Sequence, residues 1–181
     1  LLAEIAAISA SAPFRHLITP GGHTMSVAMT NAGPAGWVSD RRGYRYEAKD
    51  PQTGLPWPAM PPMFLDIAAR AAEAVGFEGF SPDACLINRY APGSRLTLHQ
   101  DRDEKNLRQP IVSVSLGLPA TFLWGHETRG GKLRRVPLVH GDVVVWGQPS
   151  RMVFHGVDVL KDGTHPLTGA LRYNLTFRSA L

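Results

Sequence analysis

Cys85 is the only cysteine, so no intrachain disulfide can form, and a reducing compartment, with the cytoplasm as default, is the expected location. No apolar run approaches the roughly 20 residues of a membrane-spanning helix, so no membrane partner is expected. The apolar opening Leu1 to Ile8 is interrupted by Glu4 and has no basic lead-in, which argues against a secretory leader. Internal repeats, low-complexity tracts and a Gly/Pro-rich linker are all missing, which excludes a solenoid and argues against a second domain. An initiator Met is missing as well, and we expect further residues before Leu1, including part of a first helix or strand.

What is present suits one domain spanning 1–181. With 181 residues and 44% hydrophobic content the chain can bury a sizeable core. Its 18 Gly and 15 Pro are spread along the sequence, the distribution of many short elements joined by turns. Basic residues exceed acidic ones by 19 − 15 = 4, a balance compatible with a polyanionic partner and equally found in proteins that bind none.

The pattern predicts one clear helix from Pro58 to Val75, where Met63, Ile67, Ala71 and Val75 recur at spacing four beside Phe64 and Ala68, with Gly76 closing it. From Ser11 to Trp57, Gly, Pro, aromatic and basic residues mix with short strand candidates such as Thr24 to Thr30, which predicts strands joined by long loops. After Ala84 the sequence reads as strands: Cys85 to Tyr90, Arg95 to Asp101, Ile111 to Leu118, Thr121 to Trp124, Leu133 to Leu138, Asp142 to Trp146, Val153 to Val157 and Leu171 to Arg178. Gly and Pro between them predict a closed or double sheet.

In the last of these strands, a period of two puts Leu171, Tyr173, Leu175 and Phe177 on one face and Arg172, Asn174, Thr176 and Arg178 on the other. Taken alone this is an antiparallel strand with one solvated face. Asn88 with Tyr90, and Arg95, Thr97, His99 with Asp101, form further polar or aromatic rows, and together the rows could line a cavity for an anion. His99 and Asp101, two apart on a strand, point the same way with Cα atoms roughly 6.6 Å apart and can reach one metal. With His155 they make two histidines and a carboxylate, the set that holds non-haem Fe(II) on one face and leaves other positions open. Read singly, His99-Gln100-Asp101 could be an exposed strand end and His155 a core histidine.

Those residues, with Asn88-Arg89-Tyr90-Ala91-Pro92-Gly93 before them and Arg172-Tyr173-Asn174-Leu175-Thr176-Phe177-Arg178 behind, resemble the AlkB family of Fe(II)/2-oxoglutarate-dependent alkylation-repair dioxygenases, most of all its bacterial members. Pro110 to Gly117 and His140 to Trp146 extend the likeness, which covers nearly the whole chain from Thr19 onward. The resemblance implies a mainly β fold with supporting helices (α+β), a double-stranded β-helix or jelly roll over about 84–181, and an N-terminal nucleotide-recognition lid over about 19–57.

It also implies roles. His99, Asp101 and His155 match the iron ligands; Arg172 matches the partner of the distal 2-oxoglutarate carboxylate; Asn88, Tyr90, Asn174 and Arg178 match other cosubstrate contacts. A guanidinium fork suits a carboxylate, the alternative for Arg172 and Arg178 being a surface ion-pair strand. Trp37, Tyr44 and Tyr46 resemble nucleotide contacts, with Trp37 and His99 as walls for an extruded base, although aromatics at such spacings also serve hairpin packing. Asp103 matches a polar contact to the damaged base and Arg129 a contact on the binding face; both also suit solvated positions. The pattern departs from the family in Gly125 to Gly131 and at Arg95, where lysine is expected, so substrate range and the role of Arg129 stay open.

The implied activity is demethylation of 1-methyladenine and 3-methylcytosine in single- or double-stranded DNA, with RNA as a further candidate. Fe(II), 2-oxoglutarate and O₂ are consumed or cycled, formaldehyde, succinate and CO₂ are released, and a monomer suffices. Two alternatives are an oxygenase of the same core acting on a protein or small molecule and a catalytically silent nucleic-acid-binding module.

Overall fold

The β-branched and aromatic runs after Ala84 do form strands, and their ladders set the positions of every candidate residue. The computed structural model describes residues 1–181. In chain order the elements are α1 (Leu2–Ser11), β1 (Arg15–Ile18), β2 (Thr24–Ala32), β3 (Gly36–Asp40), β4 (Gly43–Glu47), α2 (Pro62–Glu73), β5 (Ala84–Tyr90), β6 (Leu96–His99), β7 (Ile111–Gly117), β8 (Ala120–Trp124), β9 (Arg134–Leu138), β10 (Val143–Trp146), β11 (His155–Val157) and β12 (Arg172–Arg178). No helix is long and apolar enough to cross a membrane.

Two antiparallel sheets carry the fold. The larger runs β1-β2-β5-β12-β7-β10 and the smaller β6-β11-β8-β9, while β3 and β4 pair only with each other as a hairpin. Of residues 19–57, then, Thr24–Ala32 is a strand of the larger sheet, and the hairpin shares no ladder with it but is tied to it by Asn31, which bonds the Trp37 backbone, and by Ser39 Oγ, which donates to the Ile18 carbonyl. β12 lies at the centre, Arg172 opposite Tyr90 on one side and Gly117 on the other.

The expected alternation along β12 holds, but neither face is solvated. Leu175 and Phe177 pack with Ile87, Val112, Val114 and the helical residues Ile5, Ile8, Phe64 and Ala68 in the main core. Arg172, Asn174, Thr176 and Arg178 turn the other way and line a cavity that the smaller sheet also borders through His99, Phe122, His155 and Val157. The surface ion-pair reading fails, because Arg172 is 1% and Arg178 6% exposed.

Helix α2 is shorter than its apolar pattern suggests. Pro61 is extended (φ −60°, ψ 146°) and precedes the helix, Pro62 fills its first turn where a missing N–H costs nothing, and Gly76 (φ +86°) follows its end. Its buried stripe is Phe64, Ala68 and Ala72, the row of Phe64 and Ala68 within the expected pattern, while Met63 is 55% exposed and Val75 58%. Apolar residues on both rows made the two faces hard to separate by spacing. The first element, expected only as part of a helix or strand, is helix α1, which docks through Ile5 and Ile8. β6 ends at His99, so Asp101 lies beyond the strand on which period-two reasoning set it.

Candidate active site

Backbone pairing brings the two histidines together. His155 opens β11 directly opposite His99 at the end of β6, with ring centroids 4.5 Å apart. Gly156, next in sequence, makes that approach possible: a Cβ there would stand 2.6 Å from the Leu96 carbonyl oxygen. Asp101 completes the group, its Oδ1 at 3.5 Å from His99 Nε2 and its Oδ2 at 3.6 Å from His155 Nε2. One donor atom from each residue falls within 4.8 Å of the others.

The protonation pattern fits a cation. Each histidine places Nδ1 at 2.9 Å from the backbone carbonyl two residues earlier, Thr97 for His99 and Val153 for His155. A carbonyl only accepts, so Nδ1 carries a hydrogen in each ring and Nε2 is the atom that faces Asp101. Burial, and then the neighbouring His155, push His99 down to about 4, which keeps it neutral near pH 7. Burial alone would raise the Asp101 carboxyl, but Arg178 and the two histidines outweigh it and hold it well below the usual carboxylate range. Two imidazoles and one carboxylate, each oriented by a second hydrogen bond, are the donor set that suits a divalent first-row metal. Phe122, Trp124 and Trp146 pack within 6.3 Å of the His155 ring and leave it little water.

Beside this triad the polar row of β12 meets that of β5 in a cavity of about 800 Å³. Arg172 donates to the Leu118 carbonyl at 3.0 Å and to Ser115 Oγ at 2.8 Å, yet its Nε has no partner. Asn88 Oδ1 is likewise buried and unpartnered. Asn174 is fixed by Ser113 Oγ and the Val114 carbonyl. Burial lowers Arg172, against the pull of Tyr90 and Asp142; a guanidinium stays charged regardless. Burial also pushes the Tyr90 phenol up to about 12, so it remains a neutral donor. A buried cation with an idle N–H, beside a neutral hydroxyl and two amides, is suited to a small carboxylate.

Arg178 faces the triad. Its Nη2 and Nε reach Asp101 Oδ2 at 2.8 and 3.2 Å, and its Nε lies 3.2 Å from Glu104 Oε1. Glu104 also receives Tyr46 Oη at 2.7 Å and Arg151 Nη2 at 3.0 Å. Glu104 and Arg151 went unnoticed in the sequence, where each is one more polar residue in a loop, and Gln100 stood there only as the residue between His99 and Asp101; a buried role has no local signature.

The aromatic wall is partly as expected. Trp37 and Tyr44 line the cavity and stack at 5.5 Å with planes 14° apart, and Trp37 Nε1 donates to Asp103 Oδ2 at 2.8 Å. Arg129 also lines it, set over the Phe154 ring at 4.9 Å and donating to the Leu98 carbonyl. Tyr46 does not line it: its ring packs by Ala35, Ala84 and Ala180 and its hydroxyl turns inward to Glu104. Burial raises that phenol well above its ordinary value.

Comparison with known proteins meets the same features. The family described as the 2OG-Fe(II) oxygenase superfamily matches residues 1–178. The chain is 59% identical to the alpha-ketoglutarate-dependent dioxygenase AlkB of Escherichia coli and 57% to that of Salmonella typhimurium, each over 180 residues, 99% of this chain and 83% of the relative. It is 42% identical over 111 residues to the DNA N(6)-methyladenine demethylase ALKBH1D of Arabidopsis thaliana, covering 54% of this chain and 25% of that one. The solved structure of OsALKBH1 superposes with a TM-score of 0.80 at 32% identity, over 92% of this chain and 83% of that chain.

Proposed function

The chain belongs to the 2OG-Fe(II) oxygenase superfamily and within it to the AlkB family, and we propose that it demethylates 1-methyladenine and 3-methylcytosine in DNA, with RNA as a second substrate. It is an Fe(II)- and 2-oxoglutarate-dependent dioxygenase acting oxidatively on nucleic acid. His99, Asp101 and His155 hold the metal through Nε2, a carboxylate oxygen and Nε2. Arg172 receives the distal carboxylate of 2-oxoglutarate on its idle Nε–H, with Tyr90, Asn88, Asn174 and Arg178 as the other cosubstrate contacts and Arg178 also offsetting charge beside Asp101. Fe(II) with 2-oxoglutarate and O₂ supplies the oxidation that turns an N-methyl group into a hydroxymethyl group, lost as formaldehyde, with succinate and CO₂ as coproducts.

The chain's own part is positioning. A methylated base must leave its stack to reach the triad, and damaged bases flip at lower cost. Trp37 closes one side of the flipped base and His99 the other, stacking worth about 1–3 kcal/mol. Asp103 and Arg129 contact the base and the strand, and the β3–β4 hairpin forms part of the lid over 19–57. Every proposed donor comes from one chain, so a monomer is sufficient.

One observation carries this reading: three metal-type donors within 4.8 Å of one another open onto a cavity that also holds a buried guanidinium with an unpartnered N–H. The test is anaerobic reconstitution with Fe(II), then incubation with oligonucleotides bearing either lesion, 2-oxoglutarate and oxygen, with base mass and formaldehyde measured together. Restored bases with matching formaldehyde are expected; succinate formed only with peptides or small molecules, or none at all, would sink the proposal. Matched RNA and duplex substrates in the same assay fix strand preference.

A further inference from the structure

The three metal donors come from two stretches of chain that the β6–β11 ladder joins only in part. That ladder sets His155 opposite His99, whereas Asp101 lies past the end of β6 where no ladder bond holds it. Two side chains next to the donors cross between the stretches in opposite directions. Arg151, on the approach to His155, donates through Nη1 to the main-chain carbonyl of Asp101. Gln100, between His99 and Asp101, donates through Nε2 to the carbonyl of Met152 at 2.5 Å and to that of Glu127 at 3.2 Å.

The Arg151 side chain is 3% exposed and its remaining nitrogens are engaged, Nη2 by Glu104 Oε2 at 3.0 Å and Nε by the Gln109 carbonyl at 3.2 Å. Asp101, Glu104, Arg151 and Arg178 therefore form a buried set of two anions and two cations, neutral as a whole. Three acceptors on one side chain from different directions call for a guanidinium; an ammonium on a flexible stem cannot span them.

We infer that Gln100 and Arg151 are positioning residues that form a reciprocal clamp, tying the Asp101 loop to the His155 segment so that the metal donors converge before the ion arrives. This rests on the reading of His99, Asp101 and His155 as metal ligands. Without the clamp the ion itself has to order both loops, and the entropy of that ordering comes out of its affinity. Neither residue touches the ion or the reacting atoms. Their effect runs through Asp101 and His155, as supporting hydrogen bonds act at other metal sites.

The experiment titrates cobalt(II) alone into the full chain, without cosubstrate or nucleic acid, and follows the visible absorption of the bound ion. Four proteins are compared: wild type, Asp101→Ala, Gln100→Met and Arg151→Lys. Gln100→Met keeps side-chain length at a half-buried neutral site and removes the amide whose Nε2 makes both bonds; Arg151→Lys keeps the charge facing Glu104 and gives up the fork. Wild type binds one ion and Asp101→Ala does not. Gln100→Met weakens binding about 10- to 100-fold, with a metal-free melting temperature within about 4 °C of wild type, the shift of a roughly 1 kcal/mol surface change in a chain this size. Arg151→Lys also binds more weakly than wild type.

Wild-type affinity in Gln100→Met would overturn the clamp and leave the metal site standing. Weaker binding accompanied by a large loss of metal-free stability would assign Gln100 to structure alone, and so would also overturn it. A wild type without a cobalt site, or a site undiminished in Asp101→Ala, would remove the metal reading and the clamp together.

Discussion

A guanidinium 1% exposed with one N–H idle is costly to keep, and Arg172 is the residue where that cost points most directly at a ligand. A lysine there would supply charge without the fork. We expect Arg172→Lys to raise the KM for 2-oxoglutarate about 10-fold or more, the loss of one or two charge-assisted hydrogen bonds, as measured by succinate formation; an unchanged KM would break the assignment. Asp50 presents a different case. It is buried, grips the Arg15 fork at 2.6 and 2.7 Å, and takes further bonds from Gln52 and Thr53. Burial alone would raise its carboxyl, but those donors hold it below its ordinary 3.8. A depressed folded value means that its stabilisation is complete above about pH 4 and is lost as the pH falls through the folded value. In urea melts, wild type should exceed Asp50→Asn by about 1–3 kcal/mol at pH 7, and the gap should narrow toward pH 3. An equal gap at both pH values would mean that the ion pair contributes nothing.

At the level of elements, the closeness of β6 and β11 decides whether the histidines meet. In Gly156→Ala the new methyl would stand 2.6 Å from the Leu96 carbonyl oxygen and 3.2 Å from the Thr97 backbone, neither of which can rotate aside. The strands must part, which overpacking data place at about 1–3 kcal/mol. The expected result is a lower melting temperature together with weaker cobalt(II) binding; loss of stability at full metal affinity would show that the strand spacing does not set the site. Strand existence was legible here: β5, β7, β8, β9, β10 and β12 fall within a residue or two of the runs that predicted them. Ends were less so. β6 stops two residues before Asp101, since the contacts that hold Asp101 come from Arg178 and Arg151 instead of a ladder. The α2 pattern held two apolar rows that spacing could not rank, and docking against Phe177 selects the one with Phe64.

For the molecule as a whole, binding of an ion to the folded chain alone must appear as stability. At about 100 times its Kd, a metal adds about 2.7 kcal/mol, or roughly 5–10 °C for a chain of this length. Cobalt(II) should raise the wild-type melting temperature by that amount and leave Asp101→Ala unmoved; an equal rise in both would locate the ion elsewhere.

The sequence by itself determined the strand pattern and the polar row from Arg172 to Arg178, because side-chain direction along a strand is a local, period-two property of the backbone. Tertiary structure alone decided that the polar row is buried, that Tyr46 turns to Glu104 instead of the cavity, and that Arg151 reaches Glu104 across 47 residues. Local periodicity gives a side chain its direction; what it meets depends on which distant segment packs there, and for buried charges that partner is the whole of the chemistry.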